Sequence, residues 1–175
     1  MEKDLQACSE CGNLVNRSEI ITVDGRPICA ACFYGGGEPV TIYPIGTVRT
    51  ELKIEENEFR AKGRPSKNSC IDLLPTQKRF MYKLDEERFL TIVYYLHKSK
   101  SIHSVFPRRS NGKRVGVFAS RSPHRPSKIA VQDVELLGIR GTTLYVSGLD
   151  AIDGSPVLDI KVAMKERHCI SKKER

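Results

Sequence analysis

No apolar run in the 175 residues approaches the length needed to cross a bilayer, so a membrane-spanning helix is not expected. The first residues, MEKDLQACSECG, are charged and polar where the apolar centre of a secretory leader would stand. The expected compartment is therefore the cytosol. No G-x-G-x-x-G follows an apolar strand and no P-loop lysine appears, which removes the dinucleotide-binding and phosphate-loop folds. There is no tryptophan, no internal repeat, no heptad and no low-complexity segment. A nucleophile–base–acid set can be assembled only by choosing freely among the serines, so acyl-transfer chemistry has no support. Acid is missing where base is densest. Residues 108–128 hold Arg108, Arg109, Lys113, Arg114, Arg121, Arg125 and Lys128 without one Asp or Glu, in a chain of net charge +8. Such a cluster reads either as a phosphate-binding surface or as a solvated basic loop.

What the chain does have begins with two C-x2-C pairs, Cys8/Cys11 and Cys29/Cys32. Two knuckles of this kind place four thiolates around one tetrahedral Zn²⁺; two disulfides or free thiols are the alternatives. Gly12 supplies the positive φ that a knuckle turn needs. Between the pairs, Glu19–Val23 and Arg26–Ile28 flank Asp24-Gly25 and read as a hairpin. A module this small needs the metal to fold, and with all four ligands cysteine the zinc is structural. It resembles the zinc ribbons of the DksA/TraR proteins and of the formylmethanofuran dehydrogenase E subunit.

Tyr34-Gly35-Gly36-Gly37-Glu38-Pro39 reads as a linker, which places a four-cysteine zinc ribbon over 1–37, a main domain over 38–165 and a basic tail over 166–175. In the main domain, strands are expected at Val40–Tyr43 and Ile45–Arg49 around Pro44, at Cys70–Leu74 and at Phe89–Leu96. Further strands are expected at Val115–Ala119, Ile129–Ile139, Thr142–Ser147 and Val157–Val162. Glu51–Arg60 and Lys62–Asn68 are charged, and Asp85-Glu86-Glu87 starts a single helical turn. Cys70 reads as a core thiol. About seven or eight short strands with little helix predict a mainly β fold, a closed single-sheet β-barrel with few short helices and a small N-terminal zinc ribbon.

Asp150 and Asp153 suit turns. Asp159 lies mid-strand, where β-propensity disfavours it, with Lys161 on the same face as an ion-pair partner or a second group at a site. The strings PIGTVRT, FLTIVYYLH, GVFASRSPHRP and LDAIDGSPVLDIK resemble the TsaA/TrmO family of tRNA adenosine N6-methyltransferases, over about Ile42 to Lys161. The resemblance implies a single-sheet β-barrel that uses S-adenosylmethionine, acts as a homodimer and methylates N6 of the threonylcarbamoyl-modified adenosine beside the tRNA anticodon. It implies cofactor contacts at His97, Lys98, Arg121, Val131, Leu149, Asp150, Ala151, Ile152 and Asp153. Arg108, Arg109, Lys113, Arg114 and Arg125 are expected to meet tRNA phosphates. Asp159 is the candidate base, with Lys161 as its partner, and the zinc ribbon is expected to assist RNA or a protein partner. The family's RPNPIG is replaced here by Arg125-Pro126-Ser127-Lys128-Ile129-Ala130, and the Pro-Tyr after DIK by Val162-Ala163. A non-catalytic RNA- or protein-binding module and a methyltransferase for another small acceptor are the competing readings.

Overall fold

The structure, a computed structural model, describes residues 4–50, 68–108 and 111–164. The loops expected over Glu51–Arg60 and Lys62–Asn68 fall almost wholly outside the described residues, and Arg109 and the basic tail 166–175 fall outside them entirely. The chain forms two compact units. One is Met1–Thr41 with Ser99–Lys128; the other is Ile42–Lys98 with Ile129–Arg175.

The first unit opens with β1 (Leu5–Ala7) against β2 (Leu14–Asn16), then β3 (Ile20–Val23) against β4 (Arg26–Cys29). The β3–β4 turn is the expected Asp24-Gly25 hairpin, with both residues at positive φ (50° and 80°). Helix α1 (Ala30–Tyr34) follows and stops at Gly35, whose left-handed conformation (φ 69°) caps it. The first glycines of the expected linker are thus a helix cap. β8 (Val105–Pro107) and β9 (Arg114–Gly116) pair as a second hairpin in this unit.

Residues 99–128 were expected to belong to the main domain; they pack instead with the four-cysteine module. The turn residue Asp24 explains this. Its carboxylate accepts from the Ser104 amide at 3.0 Å and from the Ser104 hydroxyl, and its own amide donates to the Ile102 carbonyl at 3.0 Å. Val23 forms a parallel bridge with Ile102 beside them. The segment is also tied to itself: His103 N donates to His124 O at 3.0 Å, and Ser99 Oγ to Pro123 O at 2.9 Å. Val115–Ala119 is only half a strand. The Val117 amide donates to Ser104 O, the Ser120 amide returns to Val117 O, and Val117–Ala119 closes into a 3₁₀ turn.

The second unit is a closed, antiparallel barrel of six strands: β5 (Gly46–Arg49), β6 (Ser69–Leu73), β7 (Phe89–Tyr95), β10 (Ile129–Arg140), β11 (Thr143–Ser147) and β12 (Pro156–Val162). Around the barrel the order is β10-β11-β6-β5-β12-β7. Closure leaves no unpaired strand edge. Val40–Tyr43 is not a strand; β5 begins only after Pro44, which cannot donate to a ladder. Alternation holds on the interior, where Leu90, Ile92 and Tyr94 of β7 pack with Ile71, Leu144, Val146 and Val157. Cys70 points the other way and is only half-buried. The narrowest seam is β5 on β12, paired at Pro156↔Thr47 and Val157↔Gly46. On the other side of β5, a Cβ on Gly46 would stand 2.6 Å from the Asp72 carbonyl and 2.9 Å from Leu73 Cα, so only glycine fits where β5 lies against β6.

Candidate active site and metal centre

One rim of the barrel gathers the ends of β5, β7 and β11 and the starts of β6, β10 and β12. The β11–β12 connection, Gly148 to Ser155, crosses this rim and is fastened strand by strand. The Val48 amide donates to Ser155 O, Gly154 N to Val48 O, and Ser155 N to Ile152 O, all within 2.9–3.0 Å. Asp153 accepts from the Thr50 amide at 3.0 Å. Gln132 spans the connection, accepting from Asp150 N at 3.0 Å and donating to Gly148 O. From inside the barrel the Tyr94 hydroxyl donates to the Asp150 carbonyl at 2.9 Å. Burial, and the Asp150 charge behind it, push that phenol up to about 12.

Of the five residues expected to meet a cofactor in this turn, Leu149 and Ala151 send their side chains into the core at 0% and 1% exposure. Asp150 is exposed, while Ile152 and Asp153 are half-buried. His97 follows β7 at the same rim, with Nδ1 3.4 Å from the Ser155 hydroxyl and Lys98 beside it. Burial first, and the Lys98 charge second, lower its pKa below the ordinary histidine value, so the imidazole is neutral at pH 7. Ser155 is 1% exposed and Oγ is its only polar side-chain atom, which makes it the natural orienter of His97. Neither Ser155 nor Gln132 was expected. A buried serine after Asp-Gly reads as ordinary turn chemistry until the imidazole beside it is seen.

Asp159 and Lys161 share a face, as the alternation predicts. Register puts that face outside the barrel: Asp159 pairs with Val93 and Lys161 with Thr91, both outward residues of β7, after a bulge between Val157 and Asp159. The two side chains form an ion pair at 2.6 Å, and Asp159 also accepts from the Ile160 amide. The pair is down the barrel wall and away from His97 and Ser155, so the structure pairs Asp159 with Lys161 and does not gather it with the imidazole. Val131 lies in the same cross-strand row, opposite Val93, and is 51% exposed. A further carboxylate missed in the sequence is Asp72, held by Arg49 in a fork (2.8 and 3.2 Å) and by the Thr143 hydroxyl at 2.8 Å. Arg49 lowers the Asp72 pKa, and Asp72 raises that of Arg49.

In the other unit Arg121 is exposed. Arg125 was expected to face RNA, but its guanidinium is committed to the carbonyls of Ser120 (2.8 Å), Ser122 (3.2 Å) and Val117 (3.5 Å), and it organises its own loop. Arg108 reaches the Ala119 carbonyl at 3.0 Å and remains exposed. Lys113 and Arg114 are exposed on the β8–β9 hairpin.

The four cysteines converge. Their Sγ atoms all lie within 4.8 Å of one another, with Cys11 and Cys29 at 4.0 Å. Tetrahedral thiolates at the usual Zn–S length are about 3.8 Å apart, so the set comes within about an ångström of what zinc requires. Gly12, at φ 76°, closes the first knuckle by donating to Cys8 O. The amides of Cys29 and Glu10 point at Cys8 Sγ, and that of Cys32 at Cys29 Sγ. These donors, led by Cys29, lower the Cys8 thiol to about 6, while hydrogen bonding to Cys29 and Cys11 raises Cys32 to about 12. Four thiols this close cannot all ionise without a cation among them.

A family profile described as the tRNA-methyltransferase O N-terminal domain matches residues 52–168. The chain belongs to this TrmO family. An S-adenosyl-L-methionine-binding protein of Archaeoglobus fulgidus is 35% identical over 133 residues, covering 75% of this chain and 94% of that one. The mouse tRNA (adenine(37)-N6)-methyltransferase is 43% identical over 81 residues, which span 45% of this chain and 19% of the mouse protein. Among solved structures, TrmO from Pseudomonas aeruginosa superposes with a TM-score of 0.58 at 25% identity, covering 78% of this chain and 62% of that one. The TrmO-type barrel expected from the sequence is the barrel found. The profile match starts beyond the four-cysteine module.

Proposed function

We propose that this chain is an S-adenosylmethionine-dependent tRNA methyltransferase acting on N6 of the threonylcarbamoyl-modified adenosine next to the anticodon. The observation that carries the reading is the barrel rim itself. Within the family-matched stretch it assembles a neutral, serine-oriented imidazole, an exposed Asp150 carboxylate on a backbone held by Gln132 and Tyr94, and the Lys98 ammonium.

Bound S-adenosylmethionine supplies an electrophilic methyl group. The residues of the rim fit such a ligand: Asp150 suits its ribose hydroxyls or ammonium, and Lys98 suits its carboxylate. A carbamoylated N6 is a weak nucleophile, so positioning carries most of the rate and the N6 proton needs an acceptor. His97 is that acceptor in this reading, because it is uncharged at pH 7 and its Nδ1 is engaged by Ser155, leaving Nε2. We assign the outer barrel face bearing Val131, 51% exposed, to a homodimer, and Zn²⁺ to the four cysteines. The cytosol is its compartment.

Calorimetry with S-adenosylmethionine, followed by mass spectrometry of nucleosides from tRNA incubated with both, tests the reading. Cofactor binding and a methyl gain on the modified adenosine are expected. Absence of cofactor binding refutes the enzyme reading; binding without tRNA methylation moves the activity to another acceptor.

A further inference from the structure

Outside the barrel, the first unit holds a cavity of about 430 Å³ that belongs to none of the sites above. Val23 and Phe33 of the four-cysteine module form one part of its wall, and Ile102, Val117, Phe118 and Pro126 of the 99–128 segment form the rest. We propose that this cavity takes an unpaired nucleobase of RNA. The inference rests on the tRNA reading and adds to it a specific site, whose wall is completed by Val23 and Phe33 of a module that lies outside the family match.

The cavity is within the range of small-ligand pockets and larger than one base. Its walls are apolar and carry two aromatic rings, the surface on which bases of any sequence stack. Phe118 is 83% exposed, so its ring serves no core. At the edge stands His103, with Nδ1 3.5 Å from the Asp24 carboxylate. That pairing leaves Nε2 for the edge of an unstacked base. Ser104, next to it, is held by Asp24 and so fixes the rim. The adjoining hairpin offers Arg108, Lys113 and Arg114, and no acid interrupts residues 108–128. An aromatic slot beside an acid-free basic hairpin is complementary to a base attached to phosphates.

The test uses the full chain and an anticodon-loop RNA hairpin carrying 2-aminopurine at single unpaired positions. Quenching on binding is expected for at least one position. Phe118→Ala should abolish that quenching and weaken binding by roughly tenfold or more, with Phe118→Tyr retaining both. Circular dichroism checks the fold of each variant. Lys113→Ala and Arg114→Ala should instead keep the quenching and each flatten the salt dependence by about one released ion. RNA binding without quenching, or with Phe118→Ala equal to wild type, overturns the pocket and leaves the tRNA reading standing. Quenching reversed by S-adenosylmethionine alone assigns the cavity to the cofactor's adenine and also overturns it. Absence of any RNA binding by the wild-type chain refutes the tRNA reading and the pocket together.

Discussion

Tyr94→Phe isolates the hydroxyl that holds the rim turn from within. The ring is 4% exposed and its oxygen lies 2.9 Å from the Asp150 carbonyl. Phenylalanine keeps the packing and removes one neutral hydrogen bond, a loss of about 1 kcal/mol at neutral pH. The pH dependence carries the stronger signature. Tyr94 binds its proton more tightly in the folded barrel than in the unfolded chain, about 12 against 10.0. Its contribution is therefore full below the unfolded value and is lost as the pH climbs toward the folded one. Two pK units correspond to an upper bound of about 2–3 kcal/mol. Other tyrosines and lysines titrate in the same window, but the difference between wild type and variant removes them. Urea denaturation followed by circular dichroism should show the variant less stable at neutral pH, with the two curves converging and crossing between about pH 10 and 12. S-adenosylmethionine affinity should fall as the turn loosens. Parallel stability curves across that window would refute the buried, hydrogen-bonded phenol.

Gly46→Ala should cost about 2–3 kcal/mol or prevent folding, because its Cβ meets backbone at 2.6 Å from β6; thermal melting of the barrel checks it, and an unchanged midpoint would refute the contact. Arg121→Ala should weaken S-adenosylmethionine binding in calorimetry with the melting profile intact; unaltered affinity removes Arg121 from the cofactor contacts that the family resemblance implies. Activity should fall as pH drops through the depressed His97 value, and this acid limb should be lost in His97→Gln; a profile flat down to pH 5 would remove His97 as proton acceptor. Chelation of the metal should raise amide hydrogen exchange in residues 4–41 and also in 99–108 and 111–128, leaving β6, β7 and β10–β12 protected; exchange confined to 4–41 would break the proposed link through Asp24.

The barrel was legible because its strands carry their own signals. FLTIVYY alternates inward Leu90, Ile92 and Tyr94 with outward neighbours, and β10, β11 and β12 fall within a residue or so of their expected bounds. The cysteine spacing foretold that the four thiols converge for the same reason, since a ligand set is written in residue type. What stayed hidden depends on where a turn residue points. Asp24 reads as one half of an Asp-Gly hairpin turn, and nothing local says that its carboxylate closes on Ser104 eighty positions later. Arg125 reads as one more positive charge, yet three carbonyls of its own loop take its guanidinium. Asp159 looked out of place in a strand; the bulge before it and the Lys161 partner are the reason it is tolerated.

The path of the chain explains why the four-cysteine module and the basic segment form one compact unit. β7 and β10 are neighbours in the barrel, with Tyr95 paired to Ile129, so residues 96–128 leave and return at one place. A loop pinned only at its base has its tip conformations to lose on ordering. Here the cross-links at Ser99–Pro123 and His103–His124 draw the two limbs together, and Asp24 with Val23 holds Ile102 to Ser104 against a hairpin that the cysteines organise. With Zn²⁺ on the four cysteines, as proposed above, metal binding energy would be folding energy for the segment that carries Lys113, Arg114 and Phe118, while the closed barrel with His97 and the Asp150 turn would need none of it. Loss of the metal should consequently lower affinity for RNA far more than affinity for S-adenosylmethionine. Equal loss of both on chelation would refute the assignment of cofactor binding to the barrel rim alone.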